Sequence, residues 1–129
     1  MTDTAYVLDA SALLALMLDE RGAARVEACL PDACVGAVNL SEVVAKLQER
    51  GVADGVIDES LTELDLRVVD FTQAQARMAG QLRMATKAHG LSLGDRACLA
   101  LAANRGATAL TTDTKWADID IGIPIELAR

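Results

Sequence analysis

Five short apolar runs recur along this chain, and between them lie longer stretches whose apolar residues return at helical spacing. Such alternation is the pattern of an α/β domain, because parallel strands need long crossovers and helices supply them. The strands read as residues 5–8, 34–38, 66–71, 107–111 and 121–127. Pro124 interrupts the last of these, which places it at a sheet edge. Ser11 is positioned to cap a first helix that runs to about Asp19. A second helix follows Gly22 and stops before Pro31, and a third is opened by Asn39 and closed by Gly51. Residues 54–65 form a fourth, and a long fifth helix runs from Thr72 to near Gly90. Ser92 caps a sixth helix through Asn104, with Gly106 as its stop.

That sixth helix is apolar nearly all round between Ala97 and Ala103, so it belongs in the middle of the domain. Aromatic residues are confined to Tyr6, Phe71 and Trp116, so Ala, Leu, Val, Ile and Met must build the core. The length, 129 residues, fits one compact domain over 1–129, with no linker or repeat.

The formal net charge is −7. A module that grips nucleic acid by its phosphates shows a basic patch, and this chain has none. An enzyme that meets phosphate through bound cations is still admissible, since a metal ion reverses the local charge. Cys29, Cys34 and Cys98 lie among apolar neighbours without C-x-x-C spacing and read as buried thiols. His89 is the single histidine, which argues against a histidine-based zinc site or a His-dependent triad. The apolar run from Ala12 to Leu18 is too short to span a membrane and lacks a basic flank. A soluble, cytoplasmic protein is expected.

Ligands of open parallel sheets bind beyond the carboxyl ends of the strands, where the winding reverses. Asp9 follows the first strand and Asp113 the fourth, so the two converge if these strands are neighbours about 5 Å apart. Glu42 and Asp95 lie in the first turns of helices. Each has an ordinary structural role available: Asn39-x-x-Glu42 is a capping-box spacing, and Ser92-x-x-Asp95 is nearly the same. Asp9 and Asp113 could be plain turn acids. Four converging carboxylates would repel one another and need cations between them, and all-oxygen ligation suits Mg²⁺ or Mn²⁺.

Four segments carry a family resemblance: Val7-Leu8-Asp9-Ala10-Ser11-Ala12, Asn39-Leu40-Ser41-Glu42-Val43, Leu93-Gly94-Asp95-Arg96-Ala97 and Leu110-Thr111-Thr112-Asp113. In order and spacing they resemble the successive motifs of PIN-domain ribonucleases, and most of all the VapC-type toxins of toxin–antitoxin pairs. The resemblance implies a three-layer α/β/α domain with a five-stranded parallel sheet in the order 3-2-1-4-5. It implies that Asp9, Glu42, Asp95 and Asp113 hold Mg²⁺ or Mn²⁺ for hydrolysis of RNA, with Glu42 either binding metal or orienting water. Ser11 and Thr112 would support the site by hydrogen bonding, and Asp118 is a further acid near its rim. Family members commonly form homodimers and are held inactive by a cognate antitoxin.

Arg96 is a candidate for steering phosphate, whereas Lys115 reads as surface charge and Lys46 as an i,i+4 partner of Glu42. Trp116 reads as packing for the loop before the last strand, and His89 as a helix-end residue. Two other readings compete. A receiver domain is also small, acidic and Mg²⁺-dependent, but Asp9 is followed by Ala10 where a second acid is needed, and no Lys follows Ile125. A catalytically silent PIN-like domain that only binds protein would not need all four acids.

Overall fold

The computed structural model describes residues 4–129. Its sheet has five parallel strands, β1 (Tyr6–Leu8), β2 (Ala33–Gly36), β3 (Arg67–Val69), β4 (Thr108–Thr111) and β5 (Ile125–Leu127), in the order β3-β2-β1-β4-β5. The helices are α1 (Ala10–Met17), α2 (Ala23–Cys29), α3 (Ala37–Glu49), α4 (Asp54–Leu64), α5 (Gln73–Gln81), α6 (Arg83–Thr86) and α7 (Leu93–Arg105). The chain winds from β1 outward to β3, then returns to lay β4 on the other side of β1. The reversal therefore falls between β1 and β4, where Leu8 is in register with Leu110. This is the expected strand order and the expected switch point.

Strand alternation divides the core. Val7, Cys34 and Ala109 face one side of the sheet and pack with Cys98, Leu99, Leu101 and Ala102 of α7. Leu8 and Leu110 face the other side, against Ala12 of α1 and Val26 and Cys29 of α2. Val35 points the same way and meets Leu13, Val43, Leu47 and Ile57. Helix α7 lies between the sheet and α5, and every residue from Ala97 to Ala102 is buried. That accounts for its lack of a polar face. Trp116 is wholly buried against the same side, so it packs as expected.

Several boundaries differ from the sequence expectation. Asp9, not Ser11, caps α1: its Oδ1 accepts the Ala12 N–H at 2.8 Å. β2 ends at Gly36, and α3 begins at Ala37 with Gly36 as its cap, two residues before Asn39. Asn39 thus lies inside the helix and forms no capping box with Glu42. The expected long helix after Thr72 breaks at Leu82 into α5, α6 and a 3₁₀ turn over Lys87–His89. Gly80 weakens it there, and the Thr86 hydroxyl donates to the Leu82 carbonyl at 2.8 Å. The last strand forms only after Pro124, whose carbonyl accepts the Ala109 N–H. Among the described residues no helix is long and apolar enough to cross a membrane.

Because α7 packs on two layers at once, Leu99→Ala should leave a cavity that neither side can fill. A loss of about 2–5 kcal/mol in urea unfolding is expected. A loss below about 1 kcal/mol would show that the α5 and sheet contacts can relax independently.

Candidate active site

Asp9 follows directly on β1, and the local fold leaves its carboxylate 3% exposed. A buried carboxylate needs donors, and it has three. Thr111 Oγ1 donates to Oδ2 at 2.6 Å, Ser11 Oγ donates to Oδ1 at 2.7 Å, and the Ala12 N–H caps Oδ1. The two hydroxyls are themselves oriented by the chain leaving β4. The Asp113 N–H donates to Thr111 Oγ1 at 3.0 Å, and the Thr112 N–H donates to Ser11 Oγ at 3.0 Å. Each hydroxyl, having accepted from the backbone, is left to give its one proton to Asp9. Ser11 thus donates directly to the Asp9 carboxylate. Thr112 contributes its backbone N–H, and the supporting threonine hydroxyl is that of Thr111, a fully buried residue. Sequence reading missed Thr111 because alternation along β4 shows only that one of two adjacent threonines faces inward.

Glu42 and Asp95 approach from α3 and α7. Asp95 closes a capping box with Ser92: the Ser92 N–H donates to Asp95 Oδ2 at 2.9 Å, and the Asp95 N–H donates to Ser92 Oγ at 3.2 Å. The structural role foreseen for Asp95 is therefore real. Its charge also reaches both other acids. Burial pushes the Asp9 carboxyl up to about 6, against the opposing hydrogen bonds from Thr111, Ala12 and Ser11, and the Asp95 charge adds to the rise. Burial likewise raises the Glu42 carboxyl, and Asp95 raises it further. Asp9, Glu42 and Asp95 thus form one electrostatic group.

Asp113 caps the 3₁₀ turn Thr114–Asp118, its Oδ1 accepting the Lys115 N–H at 3.0 Å. It is tied to Asp9 through its own N–H and Thr111 rather than through its carboxylate. Asp118 ends that turn and is exposed. Arg96 Nη1 donates to the Ala79 carbonyl at 2.8 Å, in the last turn of α5, and its Nε is buried without a partner. The guanidinium thus ties α7 to α5.

Among the described residues, no three side chains are gathered around one point as metal ligands. In this conformation Asp95 is turned to Ser92, and Asp113 to Lys115. The donor chemistry still fits a hard divalent cation. The acids offer only oxygen, their mutual repulsion is the kind a cation relieves, and Gly94 has no Cβ to fill the space beside the Glu42 carboxylate.

Asp9 gives the metal-free protein a definite pH dependence. In the fold it keeps its proton to about pH 6, whereas an unfolded Asp loses it near 3.8. The native state therefore binds more protons over that interval, and stability falls as pH rises through it, by about 3 kcal/mol. Asp9→Asn should flatten that slope and stabilise the metal-free protein at pH 7.5, measured by urea titration with chelator. An unchanged slope would show that Asp9 ionises in the fold without penalty.

The sequence pattern of the PIN domain matches residues 6–122. No curated protein sequence matches the chain. A toxin–antitoxin complex from Klebsiella pneumoniae is similar in structure, with TM-score 0.74 and 20% identity over 97% of this chain and 98% of the other. A member of the VapBC family of toxin–antitoxin systems from Mycobacterium tuberculosis has TM-score 0.63 and 25% identity, covering 98% of each. A sarcin–ricin loop cleaving VapC toxin from the same organism has TM-score 0.71 and 16% identity over 93% of this chain and all of its own. With the matched pattern running from β1 to the turn before β5, this chain belongs to the PIN domain family.

Proposed function

We propose that this PIN domain is a divalent-metal-dependent endoribonuclease and the toxin of a toxin–antitoxin pair. The observation that carries the reading is the buried Asp9 carboxylate at the β1–β4 switch point, its pKa raised further by the charge of Asp95, which also acts on Glu42. A fold gains nothing by burying an acid among acids, so the arrangement makes sense as a cation site. The similarity to a VapC toxin described as cleaving the sarcin–ricin loop supports RNA as substrate, and similarity to toxin–antitoxin complexes supports a cognate antitoxin as partner.

In this reading Asp9, Glu42, Asp95 and Asp113 hold Mg²⁺ or Mn²⁺. A cation held there by these carboxylates would supply Lewis acidity, lowering the pKa of a bound water and offsetting charge on the phosphodiester. The protein's own residues prepare the site. Ser11 and Thr111 fix the Asp9 rotamer and spend both hydroxyl protons on it, leaving its remaining lone pairs for the ion. Glu42 either completes the ligand set or orients the attacking water. Asp118 stands at the rim. Arg96, whose Nη1 donates to the Ala79 carbonyl, is the candidate for steering phosphate. The cation also explains how a chain of net charge −7 can handle RNA.

Purified protein incubated with RNA and Mn²⁺ should cleave it, and EDTA should stop the reaction. Asp9→Asn should lower the rate by about 100-fold or more, the scale seen when a group acting on developing charge is removed. Binding of a partner protein without any cleavage would instead favour a catalytically silent PIN domain. Full activity in EDTA or in the Asp9→Asn variant would falsify the metal mechanism.

A further inference from the structure

Glu42 stands on α3, yet what seats its carboxylate comes partly from elsewhere. Asn39, one turn earlier, is 2% exposed, and its Nδ2 lies 3.1 Å from both Glu42 Oε1 and the Gly94 carbonyl oxygen, donating to each. The orientation of this amide is dictated, because the flipped form would set its oxygen against two acceptors. It leaves Asn39 Oδ1 buried with no donor. A buried side chain with one end unpartnered is a departure from ordinary packing and needs a reason.

Gly94 supplies the other half. Its φ is not in the left-handed region, unlike that of Gly22, Gly51, Gly90, Gly106 and Gly122, so its backbone does not require glycine. It occupies the second position of α7, where alanine is the better helix former. A Cβ at Gly94 would lie 2.6 Å from Glu42 Cδ and 2.8 Å from Oε2, inside the carboxylate. The missing side chain is therefore explained by the Glu42 carboxylate and by nothing in the backbone.

We propose that Asn39 and Gly94 are positioning residues that together form a seat for Glu42. Asn39 holds one oxygen and at the same time ties α3 to the first turn of α7. Gly94 leaves open the volume the carboxylate enters, next to Asp95. The acid of α3 is thus delivered to the acid of α7, so that both serve one cation; this last step rests on the metal-nuclease reading above.

The test is a double-mutant cycle. Asn39→Leu removes both donors at similar volume, and Gly94→Ala asks only the end of one flexible side chain to move. Each is made alone and with Glu42→Gln, and Mn²⁺ affinity is read from the electron paramagnetic resonance of the free ion. The carboxyl ¹³C resonance of Glu42 is followed in the metal-free protein. Each single variant should weaken Mn²⁺ binding about 10–100-fold and shift the Glu42 resonance. In the Glu42→Gln background the same changes should alter affinity less than about twofold. Fully additive losses, or an unmoved Glu42 resonance, would overturn the seat. A wild-type protein that binds no Mn²⁺, while both variants still move the resonance, would overturn the metal reading and uphold the positioning. Should Asn39→Leu fail to fold, Gly94→Ala decides the question, since alanine favours the helix it enters.

Discussion

The carboxylate of Asp9 has to be buried at the end of β1, and much of the surrounding structure serves that requirement. Three donors converge on it, from α1 and from the end of β4. Two backbone amides of the next loop orient the hydroxyls that do the donating. The same bonds hold the exit of β4 against the start of α1, so the electrostatics of one acid and the closure of the sheet's switch point are one arrangement. Remove the charge and those bonds lose about half their strength, because bonds to an ionised acceptor are roughly twice as strong as neutral ones.

Helix α7 couples this site to the core. Its middle is buried from Ala97 to Ala102 between the sheet and α5, which fixes its axis. Its first turn, held by the Ser92–Asp95 capping box, carries Asp95 and Gly94 to the acids of β1 and α3. A helix so enclosed has little freedom to shift, and the position of its first turn is inherited from apolar packing far from any charge. Stability and site geometry are therefore linked through an element whose own sequence is largely Ala and Leu.

Capping and chemistry share residues here. Asp9 caps α1, Asp95 completes the capping box that Ser92 opens on α7, and Asp113 caps a 3₁₀ turn; all three belong to the proposed ligand set. Helix starts that follow strand ends present unpaired N–H groups, which an acid satisfies, and they also cluster at the switch point of a parallel sheet. The structural and functional roles are compatible because a carboxylate has more lone pairs than a cap consumes. In the conformation shown the caps hold Asp95 and Asp113.

The residue pattern alone determined the α/β alternation, the buried helix after Ser92 (α7 in the structure), the edge position of the strand around Pro124 and the four acids at strand ends and helix starts. These follow from local periodicity and turn chemistry, which act over a few residues. Strand order came from motif resemblance, since apolar runs do not say which strand lies beside which. Tertiary structure alone decided that Thr111 rather than Thr112 donates its hydroxyl to Asp9, a choice made by the strand's facing. It decided that α3 starts at Ala37, which turned Asn39 from an expected cap into a bridge between Glu42 and Gly94. It also committed Arg96 to the Ala79 carbonyl. The contacts of Thr111 with Asp9, of Asn39 with Gly94 and of Arg96 with Ala79 span 102, 55 and 17 residues, and no local pattern can encode contacts of that range before the sheet and α7 have packed.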